Sequence, residues 1–356
     1  MRRISATTAK EGMKLGRAIY DSRGFELIPK GATITPEHMQ TFSIYEVAEL
    51  FIEDWRVDDV PVQPLIAPEL EGMATQALRT IVVESQGEKF IDDELLEEAE
   101  TPIIEMTREL FPEVIGEINA SGCQSLKEYA FQQPAKVAGL SLLIGRRMGL
   151  GMLELAGVGM AALFKDIGYI LLPSGLQDKV NPTSEEEVQI RQHAALGAEI
   201  MSQLNRFGPD VAESIYHHHE RWDGSGYPDG LSGKEIPLLA RIVGICDSYY
   251  EMASKRPDRP GYMPHEAVEY IMAFSGDLFD PELVGIFTRQ VPLYPTGITV
   301  KLNTGETGII SNSNLGHIGR PTVRICFDER SRQIKEPYDL DLAQPENQGR
   351  LIVQVT

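Results

Sequence analysis

From residue 125 to about residue 290 the sequence keeps a helical pattern, broken by Gly and Pro clusters at 173–175 and 223–233. A stretch that long, flanked by β-patterned runs, confines the chain to a helical domain with something smaller on each side. Helical periodicity also covers 70–83 and 92–118, where the Glu-heavy segment 92–100 reads as a solvated helix face. Ahead of it, 12–20 alternates, 21–24 supplies a turn and 25–28 resumes as a strand, which makes a short hairpin. Thr35 with Pro36 reads as an N-cap and first helical position, opening a helix through about Ile44, and 47–52 is a further strand candidate. Three prolines between 61 and 68 read as a linker. Beyond 291 the runs 297–302, 307–311, 321–327 and 351–355 are β-rich and separated by turn residues. The expected organisation is an α+β module at 1–60, linker and helices at 61–120, a helical domain at 121–290 and a β extension at 291–356.

Composition narrows the class. With 356 residues and 42% apolar content there is material for more than one core. No run of eighteen apolar residues occurs, and the opening MRRISATTAKEGMKLG lacks the apolar segment of a signal peptide. Cys123, Cys246 and Cys326 form no CxxC pair, so neither a disulfide framework nor a thiolate metal site is expected, and a cytoplasmic location fits. The net charge of −20 disfavours a nucleic-acid polymer or a membrane surface as partner, and leaves room for a phosphate ligand only where cations cluster locally.

The chemistry-bearing residues sit in the helical block. His218-His219-Glu220-Arg221-Trp222 leads into Asp223-Gly224-Ser225-Gly226-Tyr227-Pro228, with Gly230-Leu231, Gly233, Ile236-Pro237, Ala240-Arg241-Ile242 and Asp247 following. Upstream stand Lys165-Asp166 and His193. Imidazole nitrogen and carboxylate oxygen are the donors that a borderline divalent metal such as Fe, Mn or Zn prefers.

In these residues the segment 125–290 resembles an HD-GYP domain, a subgroup of the HD-superfamily metal-dependent phosphodiesterases that act on cyclic di-GMP. The resemblance implies a mainly α fold, an HD-type helical bundle flanked by the two small modules. It implies a metal held by Asp166, His193, His218 and His219. A second metal position would fall on Lys165, Asp166 and Asp247, and a third on Tyr129 and Gln133, where the family's ligands are replaced. Asp166 and Asp247 thus become vestigial catalytic residues, because a lysine ammonium offers no lone pair and stands where a cation belongs. The family's phosphate contacts map onto Tyr169, where a lysine is lost, and onto Arg256 and Arg259, where basic residues remain. Tyr250-Glu251 replaces the usual Asp-Ala pair.

The implied function is binding without hydrolysis, with one divalent transition metal (Fe, Mn or Zn) as cofactor. Cyclic di-GMP is the expected ligand. Asp223, Gly224, Gly226, Tyr227 and Pro228 form the expected interaction loop, toward a GGDEF-type diguanylate cyclase, another signalling protein or a second copy of the chain. Two other readings stay open at this point: an active phosphodiesterase yielding pGpG or GMP, and a structural module that binds neither metal nor nucleotide. Plainer roles attach to single residues. His217 reads as a core or surface neighbour of the pair, Arg241 as an ion-pair partner, and Trp222 and Tyr227 as loop anchors.

Overall fold

The structure is a computed structural model describing residues 1–21, 25–45, 47, 49–60, 64–110, 129–177, 179–204, 206–254 and 261–355. The N-terminal module contains β1 (Arg2–Ser5), β2 (Ile19–Tyr20), β3 (Glu26–Ile28), α1 (Pro36–Ile44) and β4 (Glu49–Ile52). Strand β1 pairs antiparallel with β4, and β2 with β3. Helix α1 starts where a capping signal predicts, since Thr35 accepts from the His38 amide and Pro36 occupies the first turn. The alternating run 12–20 contributes little strand: Lys14 and Leu15 make isolated bridges, and Leu15 is fully buried in the module's own core.

Next come α2 (Pro68–Glu84) and α3 (Asp93–Glu109), then α4 (Tyr129–Met148), α5 (Met152–Phe164), α6 (Ser184–Gln203), α7 (Pro209–His217), α8 (Leu238–Ala253), α9 (Pro264–Ala273) and α10 (Pro281–Gln290). The predominantly helical architecture expected from the sequence is thus observed. The stretch read as a linker is tied down where it is described, because Leu65 and Ile66 are buried in the same core as α2, α3 and the later helices. Helix α4 packs on α2, α5 and α8, so the helices ahead of 120 are part of the bundle's packing rather than an appendage. Among the described residues no helix is long and apolar enough to cross a membrane.

The C-terminal module is an antiparallel sheet of β5 (Thr299–Leu302), β6 (Thr307–Asn312), β7 (Thr322–Phe327), β8 (Gln333–Asp341) and β9 (Ile352–Val355), in the order β8-β7-β6-β5-β9. Four of these strands fall on the β-rich runs. The fifth, β8, is largely exposed at the sheet edge and carries Pro337, so it shows neither alternation nor an apolar run. The two small modules meet each other: Val57 and Val60 pack with Ile309 and Cys326, and Arg324 pairs with both Asp59 and Asp339.

Candidate metal centre

Four chain segments converge to build the site. Helix α5 ends at Phe164, placing Lys165 and Asp166 at its C-terminus, where the helix dipole favours a cation. The 3-10 turn Ile167–Leu171 then presses against α6. Gly168 permits this, because a Cβ there would lie 2.0 Å from the carbonyl oxygen of His193. Helix α6 is fixed at its start by a capping box: Thr183 accepts from the Glu186 amide at 3.3 Å and Glu186 accepts from the Thr183 amide at 3.0 Å. His193 projects from its middle. His218 and His219 follow directly after α7, and Asp247 sits on α8.

Asp166, His193, His218 and His219 each bring one ligand atom within 4.8 Å of all the others. The Nδ1 of His193 lies 2.7 Å from the Ile190 carbonyl, and that of His218 lies 2.6 Å from the Ile215 carbonyl. A carbonyl only accepts, so each Nδ1 carries the proton and each Nε2 keeps its lone pair. Those two Nε2 atoms are 3.5 Å apart, the Nε2 of His219 is 3.2 Å from that of His193, and Asp166 Oδ1 is 3.5 Å away. Lone pairs aimed at one another in a buried site repel unless a cation lies among them, so the donor set fits a divalent transition metal. Burial, reinforced by neighbouring rings or by Lys165, holds all three imidazoles below their usual pKa, His218 at about 4; they are neutral at pH 7, as ligation requires.

The other side of the cluster is built differently. Lys165 is 3% exposed, and its ammonium donates to Asp166 while lying 3.1 Å from Asp247 Oδ1. The same Asp247 oxygen accepts from the Gln133 amide, itself 1% exposed. Burial alone would lower the pKa of Lys165 and raise that of Asp166. The opposing charges override it: Asp166 and Asp247 hold the ammonium above its usual range, and Lys165 leads the groups that hold Asp166 below its own. Asp166 is therefore ionised, and both carboxylates already lie against an organic cation.

Two tyrosines flank the imidazoles. Tyr169 stacks on His193 at 4.5 Å and 9°, and Tyr227 stacks on His219 at 4.7 Å and 24°. Tyr227 comes from the loop 223–228, and the segment that follows it is held by Glu220, named above only as part of the motif and given no role: it accepts from the amides of Asp229, Gly230 and Leu231 at 2.8, 3.0 and 3.1 Å. Its signal was its position, a single carboxylate between two histidines and a Gly-rich turn. Gly226 lets the loop fold back, since a Cβ would come within 2.4 Å of the Arg221 nitrogen and Glu220 Cα. Asp223 accepts from the Ser225 amide, Gly224 has φ +81°, and the Tyr227–Pro228 peptide is cis.

The remaining expected residues divide. Arg241 ends on Asp280 at 2.6 Å and beside Trp222, an ion pair rather than a ligand contact. His217 is buried edge-on to Tyr216, with Nδ1 3.7 Å from Glu220, and stays out of the cluster. Tyr250 is 1% exposed in the core, while Glu251 is partly buried. Arg256 and Arg259 lie outside the described residues.

Residues 117–283 match the HD domain family. A cyclic di-GMP phosphodiesterase from Pseudomonas aeruginosa is 30% identical over 226 residues, 63% of this chain and 54% of that protein. The cyclic di-GMP phosphodiesterase response regulator RpfG of Xanthomonas campestris pv. campestris is 38% identical over 160 residues, 44% of this chain and 42% of its own. A cyclic di-GMP phosphodiesterase from Thermotoga maritima is 37% identical over 159 residues, 43% and 42% of the two chains. The chain thus spans about half or less of the length of these relatives.

Proposed function

We propose that this chain, which carries an HD domain of the HD-GYP family, binds one divalent metal and cyclic di-GMP without hydrolysing the nucleotide. The observation that carries the reading is the ammonium of Lys165 between Asp166 and Asp247. A metal on Asp166, His193, His218 and His219 would supply Lewis acidity and lower the pKa of bound water. The protein's own residues supply the rest. Lys165 partly offsets the charge of the two carboxylates and occupies the place that a second cation would need. Gln133 takes a lone pair of Asp247 that would otherwise face the site. Tyr169 and Tyr227 lie against His193 and His219 and narrow the approach to them. Anion binding keeps its electrostatic support, while activating a hydroxide between two ions loses one of its two holders. With chemistry withdrawn, the loop 223–228 serves as the surface for a partner, a GGDEF-type diguanylate cyclase or a second copy.

A second reading, an active phosphodiesterase running on one metal, is favoured by the intact four-residue cluster and by the activity named for the relatives. One experiment separates the two: protein loaded with Fe, Mn or Zn is analysed for metal and assayed for cyclic di-GMP binding and turnover. The expected outcome is one metal per chain at most, lost in the His218→Ala, His219→Ala double variant, together with nucleotide binding and no pGpG or GMP. Steady release of either product would establish the second reading in place of the first.

A further inference from the structure

Arg191 stands two residues before His193 on α6, so the helix that supplies a cluster imidazole also supplies a cation beside it. Its guanidinium lies over the Tyr227 ring at 4.9 Å, and that ring stacks on His219 at 4.7 Å. A cation over a ring face is attracted to it without consuming its N–H groups. One nitrogen, Nη2, donates to Glu187 at 2.6 Å, and the side chain remains 50% exposed. The Nε and Nη1 donors have no hydrogen-bond partner among the described residues. Other arginines of the helical domain end on structural partners: Arg206 on Glu97 and Glu100, Arg221 on Ser248, Arg241 on Asp280 and the Ile236 carbonyl. In a chain of net charge −20, a cation packed on Tyr227 with donors in hand beside the His–Asp cluster marks a place for an anion.

We propose that Arg191 contacts the ligand directly, its Nε and Nη1 gripping phosphate oxygens of a nucleotide seated over the Asp166–His193–His218–His219 cluster. The inference rests on the nucleotide-binding reading above and adds a residue to it. A guanidinium edge matches a pair of phosphate oxygens, and the Tyr227 face keeps that edge in register; a lysine would keep the charge and lose both the stack and the fork. Tyr227 then has two tasks, packing His219 and seating Arg191.

The test is calorimetric titration of metal-loaded protein with cyclic di-GMP, comparing wild type with Arg191→Ala, Arg191→Lys and Arg147→Ala. Arg147→Ala removes the same charge from the last turn of α4, where Arg147 reaches Gln290. A charge-assisted hydrogen bond lost without replacement predicts a Kd about tenfold or more weaker for Arg191→Ala. Arg191→Lys is expected to fall between the two, Arg147→Ala to match wild type, and metal per chain to be the same in all four. Arg191→Ala binding as tightly as wild type would overturn the contact while leaving the nucleotide reading intact. Loss of metal together with ligand in Arg191→Ala would also overturn it, assigning Arg191 to the support of α6. Wild-type protein that fails to bind cyclic di-GMP would end both.

Discussion

The two sides of the cluster solve one electrostatic problem in opposite ways. On the histidine side, the Nε2 lone pairs of His193 and His218 face each other at 3.5 Å, with the third imidazole and Asp166 close by. On the Asp247 side, the carboxylates are answered from within, by the Lys165 ammonium and the Gln133 amide. The first arrangement has donors that suit an ion from outside; the second already holds an organic cation. The two sides thus differ in their donors and not in the backbone that carries them, which is held close by Gly168 and Gly226.

The harshest way to break this comparison is Lys165→Met. It removes the charge while keeping the stem, and leaves Asp166 and Asp247 facing each other largely out of water. Removing one partner of a buried ion pair costs on the order of 3–5 kcal/mol. Urea unfolding of the metal-free variant should show a loss of that size, partly recovered by added Mn or Zn as the ion takes over the neutralisation. Lys165→His should restore a ligand and raise metal uptake above wild type. A Lys165→Met variant as stable as wild type, with unchanged metal content, would mean that the ammonium does not do the work of a cation.

Acid should act on the histidine side. His218 is pushed down to about 4 by burial, whereas an unfolded chain's imidazole titrates near its ordinary value of about 6.5. Above that value both states are neutral and the full stability is present. As the pH falls the unfolded state takes up the proton first, so stability declines between about pH 6.5 and 4 and levels off below. At about 1.4 kcal/mol per pH unit, His218 alone accounts for roughly 3 kcal/mol in metal-free protein. His218→Asn should flatten that part of the curve. Lys165, held above its ordinary range by Asp166 and Asp247, stays charged throughout this window and adds no slope.

Most of what locates the cluster could be read in the sequence, because the donor residues and the Gly-rich loop are local signals. Asp166, His193, His218 and His219 are the ligands expected from the sequence, and the structure brings them together. What eluded the reading depends on distant pairing. Strand β1 has only Ile4 as an aliphatic residue and exists because β4 lies alongside it. Arg324 and Asp59 meet across 265 positions, so the joining of the two small modules leaves no local trace. Leu65 and Ile66 were hidden by the prolines around them, which advertise irregular backbone and say nothing of whether it is buried. Arg191 carries no local signal of its own, since what sets it apart is its contact with Tyr227, thirty-six positions later.

The smallest effect sharpens the comparison most. Gln133 and Lys165 both reach Asp247, one with a neutral amide and one with a charge. If charge neutralisation is what the Asp247 side provides, Gln133→Leu should be mild: the carboxylate keeps its ammonium, the leucine fills much of the vacated volume, and one hydrogen bond is lost. Such a loss is worth about 1–2 kcal/mol, with a charged acceptor at the upper end. Metal content should not change, since the histidine side makes no use of the amide. The comparison to run is the double variant with Lys165→Met. Groups sharing one acceptor are coupled, so the combined loss should exceed the sum of the single losses, by about 1 kcal/mol, as Asp247 is then left with neither donor. A Gln133→Leu variant as damaged as Lys165→Met would reverse the assignment, making the hydrogen bond rather than the cation the main support of Asp247.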